Sequence, residues 1–249
     1  MKIIISPAKN MNVDTDTLAY QELPAFLEQT KELMNHIRGL SYEQCKQLWN
    51  CNDSIAKKNF ARFADMKLTQ QLTPAIISYE GIQYQYMAPA VFEDSQFDYI
   101  QKHLRILSGF YGVLKPMDGV TPYRLEMQAK CSINGHKNLY EYWGAQLYEE
   151  VIDESNVIIN LASKEYAQCI EKYLKPEDTF ITCVFGELDK KSKVVQKGTH
   201  AKMARGEMVR YMSEKQIENP QEIKQFNRLG YKYQEDLSSP KEFVFTKEL

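Results

Sequence analysis

Residues 157–185 constrain what this chain can fold into more than any other stretch. Val157–Leu161 is a β-branched apolar strand, Ser163–Leu174 has helical spacing, and Thr179–Phe185 is a second apolar strand. Strand, helix and strand within about 30 residues point to a crossover that lays the two strands parallel.

The rest of the chain is read around that unit. Lys2–Ile5 is a short strand stopped by Pro7. Pro24–Ile37 reads as a helix with proline in its first turn and Gly39 past its end. Ser41 with Gln44 forms a capping box for the next helix, and a third follows Asn52 or Asp53. Ala75–Tyr79 and Ile82–Met87 are expected to pair as a hairpin about Glu80-Gly81. Ser95 and Asp98 are expected to cap a helix whose apolar face runs through Phe97, Ile100, Leu104 and Leu107 to Gly109. Tyr111–Leu114 and Tyr123–Met127 are short segments on either side of a turn at Asp118-Gly119. Leu139–Val151 reads as one amphipathic helix and Lys191–Gln196 as a hairpin partner for the strand before it. Helices around Ala201–Lys215 and Gln221–Leu229 and a strand at Glu242–Thr246 complete the chain. Without a linker or repeat, residues 1–249 are expected to form a single compact α+β domain, a mixed sheet flanked by helices.

The composition, 43% apolar and 26% charged, excludes a disordered chain. A formal net charge of −2 does not mark the whole molecule as a nucleic-acid binder, so the distribution of charge carries the argument. Cys45, Cys51, Cys131, Cys169 and Cys183 form no C-x-x-C pair and are expected to be reduced and partly buried. His36, His103, His136 and His200 are scattered, so no metal site and no cofactor is expected. No apolar run nears the roughly 18 residues of a membrane span, and Met1–Pro7 is too short for a signal core. A cytoplasmic chain without a membrane partner is expected, and the sequence leaves its oligomeric state open.

Four segments could carry chemistry. On a helix through Lys202–Met212, Lys202, Arg205, Gly206 and Arg210 fall within an arc of roughly 140°, opposite Ala201, Ala204, Met208, Tyr211 and Met212. A glycine there costs about 1 kcal/mol against alanine. Either a solvated basic face tolerates it, or a phosphate or another backbone comes close. From Lys190 to Lys215 there are eight Lys/Arg against two Glu, a basic stretch on a near-neutral chain. In Pro122–Met127, Arg124 and Glu126 share a face, as an ion pair or as the wall of an anion-binding cleft. Ser163, Lys164 and Glu165 sit where a parallel strand gives way to a helix; Ser163 is there an N-cap or part of a ligand site. Ser108-Gly109-Phe110-Tyr111-Gly112 reads as a glycine hairpin able to turn amides toward a phosphate.

Taken in order, these segments resemble the peroxide-stress protein YaaA family. The match lies in Ile5-Ser6-Pro7-Ala8-Lys9, Leu104-Arg105 with Leu107-Ser108-Gly109, and Tyr111-Gly112-Val113-Leu114. It continues through Pro122–Met127, Asn160-Leu161-Ala162-Ser163 with Glu165-Tyr166, and Ala204-Arg205-Gly206. The resemblance implies a peroxide-stress protein that limits iron-driven damage and binds double- and single-stranded DNA. It also implies a basic cleft and a helix-hairpin-helix-like element, with no established reaction. Carried onto this sequence, the cleft would use Lys9, Arg105, Arg124, Lys164, Lys202, Arg205 and Arg210. The hairpin would be Ser108–Gly112, with Gly109 and Gly112 as its glycines, and Gly206 would adjoin the cleft. The alternative is an enzyme acting on a phosphate-bearing or nucleic-acid substrate in the same cleft, with Glu126, Ser163 and Glu165 as candidate catalytic groups.

Overall fold

Three consecutive isoleucines suit β1 (Lys2–Ile5) to burial on both faces, and it lies inside a sheet with a parallel neighbour on each side. The computed structural model describes residues 1–191 and 193–247. After β2 (Asn10–Met11) come three helices, α1 (Leu27–Arg38), α2 (Tyr42–Trp49) and α3 (Asp53–Asp65). The reciprocal Ser41/Gln44 capping box opens α2, and Asn52 Oδ1 accepts from the Ile55 amide at the head of α3. Short elements follow: β3 (Thr73–Pro74), α4 (Ala75–Ser78), β4 (Tyr79–Glu80) and α5 (Ile82–Met87). Next are α6 (Asp94–His103), β5 (Leu104–Ser108), β6 (Gly112–Leu114) and β7 (Gly119–Val120), then α7 (Leu139–Trp143) and α8 (Gln146–Val151). The expected crossover is present as β8 (Val157–Leu161), α9 (Lys164–Glu171) and β9 (Thr179–Leu188). The chain ends through β10 (Val194–Val195), α10 (Gly198–Lys215), β11 (Lys232–Tyr233) and β12 (Glu242–Lys247).

The main sheet runs β11-β12-β9-β8-β1-β5-β6, with β10 paired to β9. Its centre, β12 to β5, is parallel, and β6, β10 and β11 add antiparallel edges. From β1 the chain builds β5 on one side, and later returns to lay β8 on the other. The strand order reverses there, and in open α/β sheets that crevice at the carboxyl ends is where ligands sit. A single apolar cluster runs from Met1 to Phe245, so the chain is one α+β domain on a mixed sheet.

Several expectations are corrected. Ala75–Tyr79 and Ile82–Met87 are not a hairpin: α5 is a helix that buries Gln83, Tyr84 and Met87 against α10. A six-residue apolar run reads equally well with either period, and packing decided between them. The helix expected to reach Leu107 stops at His103, because Leu104–Ser108 is captured as a strand between β1 and β6. Ser108–Gly112 is consequently the turn of a buried β-hairpin, and no helix-hairpin-helix forms at that position. The segment Leu139–Val151 is broken at Gly144, whose φ of 54° is left-handed. Pro122–Met127 pairs with no strand, and the Pro220–Gln225 turn is a 3-10 helix rather than the start of a longer α-helix. The hairpin partner of β9 is as expected at Val194–Val195, while Ser192 lies outside the described residues.

Candidate functional site

Ser6 follows β1 directly and Ser163 lies two residues beyond β8, so the sheet order brings them together across the crevice. The Ser163 amide donates to Ser6 Oγ at 2.8 Å, and the two hydroxyls are 3.2 Å apart. Ser163 occupies the N-cap position of α9, yet its side chain caps nothing. A pocket of about 490 Å³ opens above this pair. Its walls come from residues 6–10 after β1, from Glu80–Tyr84 at α5, from Tyr123–Glu126, from the head of α9, and from Lys202 and Arg205 on α10.

Glycines make this convergence possible. A Cβ on Gly206 would stand 2.0 Å from the Gln83 carbonyl oxygen, so α10 and α5 approach more closely than any side chain permits. Of the reasons for a bare backbone at Gly206, the structure selects another backbone. A Cβ on Gly109 would lie 2.6 Å from the Leu125 carbonyl oxygen, so this glycine lets the segment carrying Arg124 and Glu126 run against the β5–β6 turn.

Within the pocket, Glu126 Oε1 receives Lys9 Nζ at 2.9 Å and Arg124 Nη2 at 3.1 Å. Arg124 and Glu126 are therefore both an ion pair and part of a cleft wall. Glu165 Oε1 accepts from the Gln128 amide at 3.2 Å. Burial raises the pKa of the Glu165 carboxyl above the ordinary range, and the charge of Glu126 adds to that shift. Burial likewise pulls the Arg205 guanidinium downward. Tyr84 donates to the Ser6 carbonyl at 3.0 Å, and the Tyr123 hydroxyl is held by Tyr79 at 2.9 Å and Ser108 at 2.6 Å.

Lys9, Arg124, Glu126, Ser163, Glu165, Lys202 and Arg205 thus share one pocket. The other sequence candidates are elsewhere. Arg105 is buried, donates to the Gln101 and Leu104 carbonyls, and has Glu150, Asp118, Asp153 and Glu22 among its charged neighbours. Ser108, Gly109 and Gly112 are buried in the β-hairpin, where Ser108 Oγ accepts the Phe110 and Tyr111 amides, so those two amides are spent within the turn. Gly206 is covered by α5, and Arg210, more than a turn along, pairs with Glu214 at 2.8 Å. Lys164 is exposed on the first turn of α9, outside the pocket wall. Gln83 and Tyr84 are not legible as site residues in the sequence, because the short apolar run of α5 reads equally well as a strand. The one signal toward them was the demand for a bare backbone at Gly206.

The fold and site define a mixed-sheet α+β protein with a cation-lined pocket at the topological switch point of its parallel strands. The chain belongs to the peroxide stress protein YaaA family, whose model matches residues 1–237, and the family's description ties it to peroxide stress. It is 61% identical over 249 residues to a UPF0246 protein of Agathobacter rectalis, with both chains fully covered. It is 56% identical over 247 residues to a UPF0246 protein of Lachnoclostridium phytofermentans, covering 99% of this chain and 96% of that one. A UPF0246 protein of Desulfitobacterium hafniense is 55% identical over 249 residues, covering 100% of this chain and 99% of that one. Among the described residues, no helix is long and apolar enough to cross a membrane.

Proposed function

We propose that this pocket holds DNA by its phosphates and that the protein thereby limits iron-driven oxidative damage during peroxide stress. The observation that supports this reading is the convergence of Lys9, Arg124, Lys202 and Arg205 on one pocket, with no carboxylate paired to Lys202 or Arg205 among the described residues. Cations left without partners around a concave site favour an anion there, and phosphate contacts give affinity without sequence preference. Lys202 and Arg205 alone correspond to a slope of log K on log salt of roughly −1.5 to −2, rising toward about −3.5 when Lys9 and Arg124 leave Glu126 for phosphates. Fluorescence anisotropy with labelled single- and double-stranded DNA across a salt series tests this, comparing wild type with Lys202→Glu and Arg205→Met. The expected result is steep salt dependence and weaker binding in both folded variants; unchanged binding in both would overturn the assignment to this pocket.

A second reading is favoured by the raised pKa of Glu165 beside the Ser6–Ser163 pair. It is an enzyme that acts on a phosphate-bearing or nucleic-acid substrate, with Glu165 as general base and the cations holding the anion. Turnover abolished by Glu165→Gln in a folded protein would support it, and a screen without turnover would count against it.

A further inference from the structure

The hydrogen-bond balance of the pocket narrows what it binds, and the narrowing rests on the phosphate-binding reading above. Gln83 Nε2, Arg124 Nε and Arg205 Nε are buried and donate to nothing among the described residues. Gln83 is 7% exposed and Arg124 9%, so neither is free to turn to water. These donors come from three separate elements, α5, the 122–127 segment and α10, and all three residues line the one pocket. Neighbouring acceptors already have partners of their own at one oxygen each: Glu126 Oε1 takes Lys9 and Arg124, Glu165 Oε1 takes Gln128, and Ser6 Oγ takes Ser163. The head of α9 adds amides that no side chain caps. Buried donors without acceptors are rare, and a cluster of them around a cavity points to a ligand that supplies the acceptors.

Size and wall chemistry say what kind of ligand. Inorganic phosphate would use the cations but leave most of a pocket of about 490 Å³ empty, including the wall formed by Tyr84, Tyr123 and Tyr166. A duplex is too wide to enter a cavity of that volume whole, so DNA would reach it through backbone phosphates at the rim or through a strand end. Gln83 presents an uncharged amide donor, which suits a carbonyl or ring nitrogen rather than a phosphate that two guanidinium groups already satisfy. We propose that the pocket takes one nucleoside 5′-phosphate unit, with its phosphate on Arg124, Arg205 and the head of α9. Its base lies along the tyrosine wall and accepts a hydrogen bond from Gln83. The unit is either a free mononucleotide or the unpaired phosphorylated end of a strand.

Calorimetric titration of the full chain with a deoxynucleoside 5′-monophosphate, ribose 5-phosphate and inorganic phosphate tests this, with wild type, Gln83→Met and Arg205→Met. Thermal melts establish that each variant is folded. The expected result is that the nucleotide binds more tightly than ribose 5-phosphate or phosphate. Gln83→Met is expected to weaken the nucleotide by about tenfold and leave ribose 5-phosphate unchanged, whereas Arg205→Met weakens both. Displacement of the nucleotide by a 5′-phosphorylated overhang, and not by a blunt unphosphorylated duplex, would assign the unit to a strand end; failure of both to displace it would assign a free nucleotide. Equal affinity for nucleotide and ribose 5-phosphate would overturn the proposal, as would an unaffected Gln83→Met. Salt-sensitive DNA binding without nucleotide binding would sink this inference and leave the DNA reading standing. Absence of both would sink the two together.

Discussion

Replacing Gly206 by alanine sets two physical effects against each other, and the structure says which wins. In an isolated helix the change would stabilise by about 1 kcal/mol, since glycine is the poorer helix former. In this fold the added methyl would sit 2.0 Å from the Gln83 carbonyl oxygen and 2.9 Å from both the Gln83 carbonyl carbon and the Met87 amide nitrogen. All three are backbone atoms, so no rotamer change relieves the contact, and α5 as a whole must recede from α10. Overpacking a well-filled interior costs typically 1–3 kcal/mol, and a backbone contact this short belongs at the upper end of that range. After the helix-propensity gain, the net loss is about 2 kcal/mol, or roughly 4–8 °C in Tm for a chain of this size. Differential scanning calorimetry of wild type and Gly206→Ala measures it. A Gly206→Ala protein as stable as wild type, or more stable, would refute the reasoning. Because α5 also carries Gln83 and Tyr84, the same substitution should weaken anion binding even at temperatures where the protein is folded.

Three other expectations follow from buried titratable groups. Asp118 is 2% exposed with Oδ1 unpartnered, and burial raises its pKa from 3.8 to about 7. Its contribution is therefore fully present below pH 4 and lost as the pH rises toward 7, by at most about 4 kcal/mol; denaturation at pH 4 and 7 should show a flatter profile for Asp118→Asn, and an identical profile would contradict this. Burial pushes the thiols of Cys131, Cys169 and Cys183 to about 11, 12 and 12. A thiol reagent at neutral pH should accordingly modify only the half-exposed Cys51 quickly, and all five cysteines in denaturant; rapid native reaction of more than one would be the contrary result. Ionised Glu165 opposes an anion beside it, so phosphate affinity should fall as pH rises through its elevated pKa. Glu165→Gln should remove that part of the pH dependence, and titrations at several pH values would expose a failure.

Local pattern was enough wherever a segment's own chemistry decided its state. The β-branched run Val157–Leu161, the Ser41/Gln44 cap and the isoleucines of β1 state their roles without help from distant residues. Charge patterning likewise singled out Lys202 and Arg205, and the glycine between flanking cations signalled a close approach, though not to what. Tertiary structure decided the rest. Leu104–Ser108 continues a helical apolar stripe on paper, yet hydrogen bonding to β1 and β6 outweighs the propensity of five residues, and the expected hairpin between helices becomes a β-turn. The ring of cations was only partly legible for the same reason. Arg105 and Arg210 carry the same charge as Arg124 and Arg205, but β5 and the far end of α10 turn them to other partners. Ser6 and Ser163 are 157 positions apart and meet only because β8 is laid beside β1. The sequence by itself determined that β1, β8, β9 and β12 are strands and which helix carries Lys202 and Arg205, while β5 took its state from its neighbours. The order of those strands decided where the carboxyl ends meet, and hence where the pocket lies, because a crevice exists only where neighbouring connections diverge.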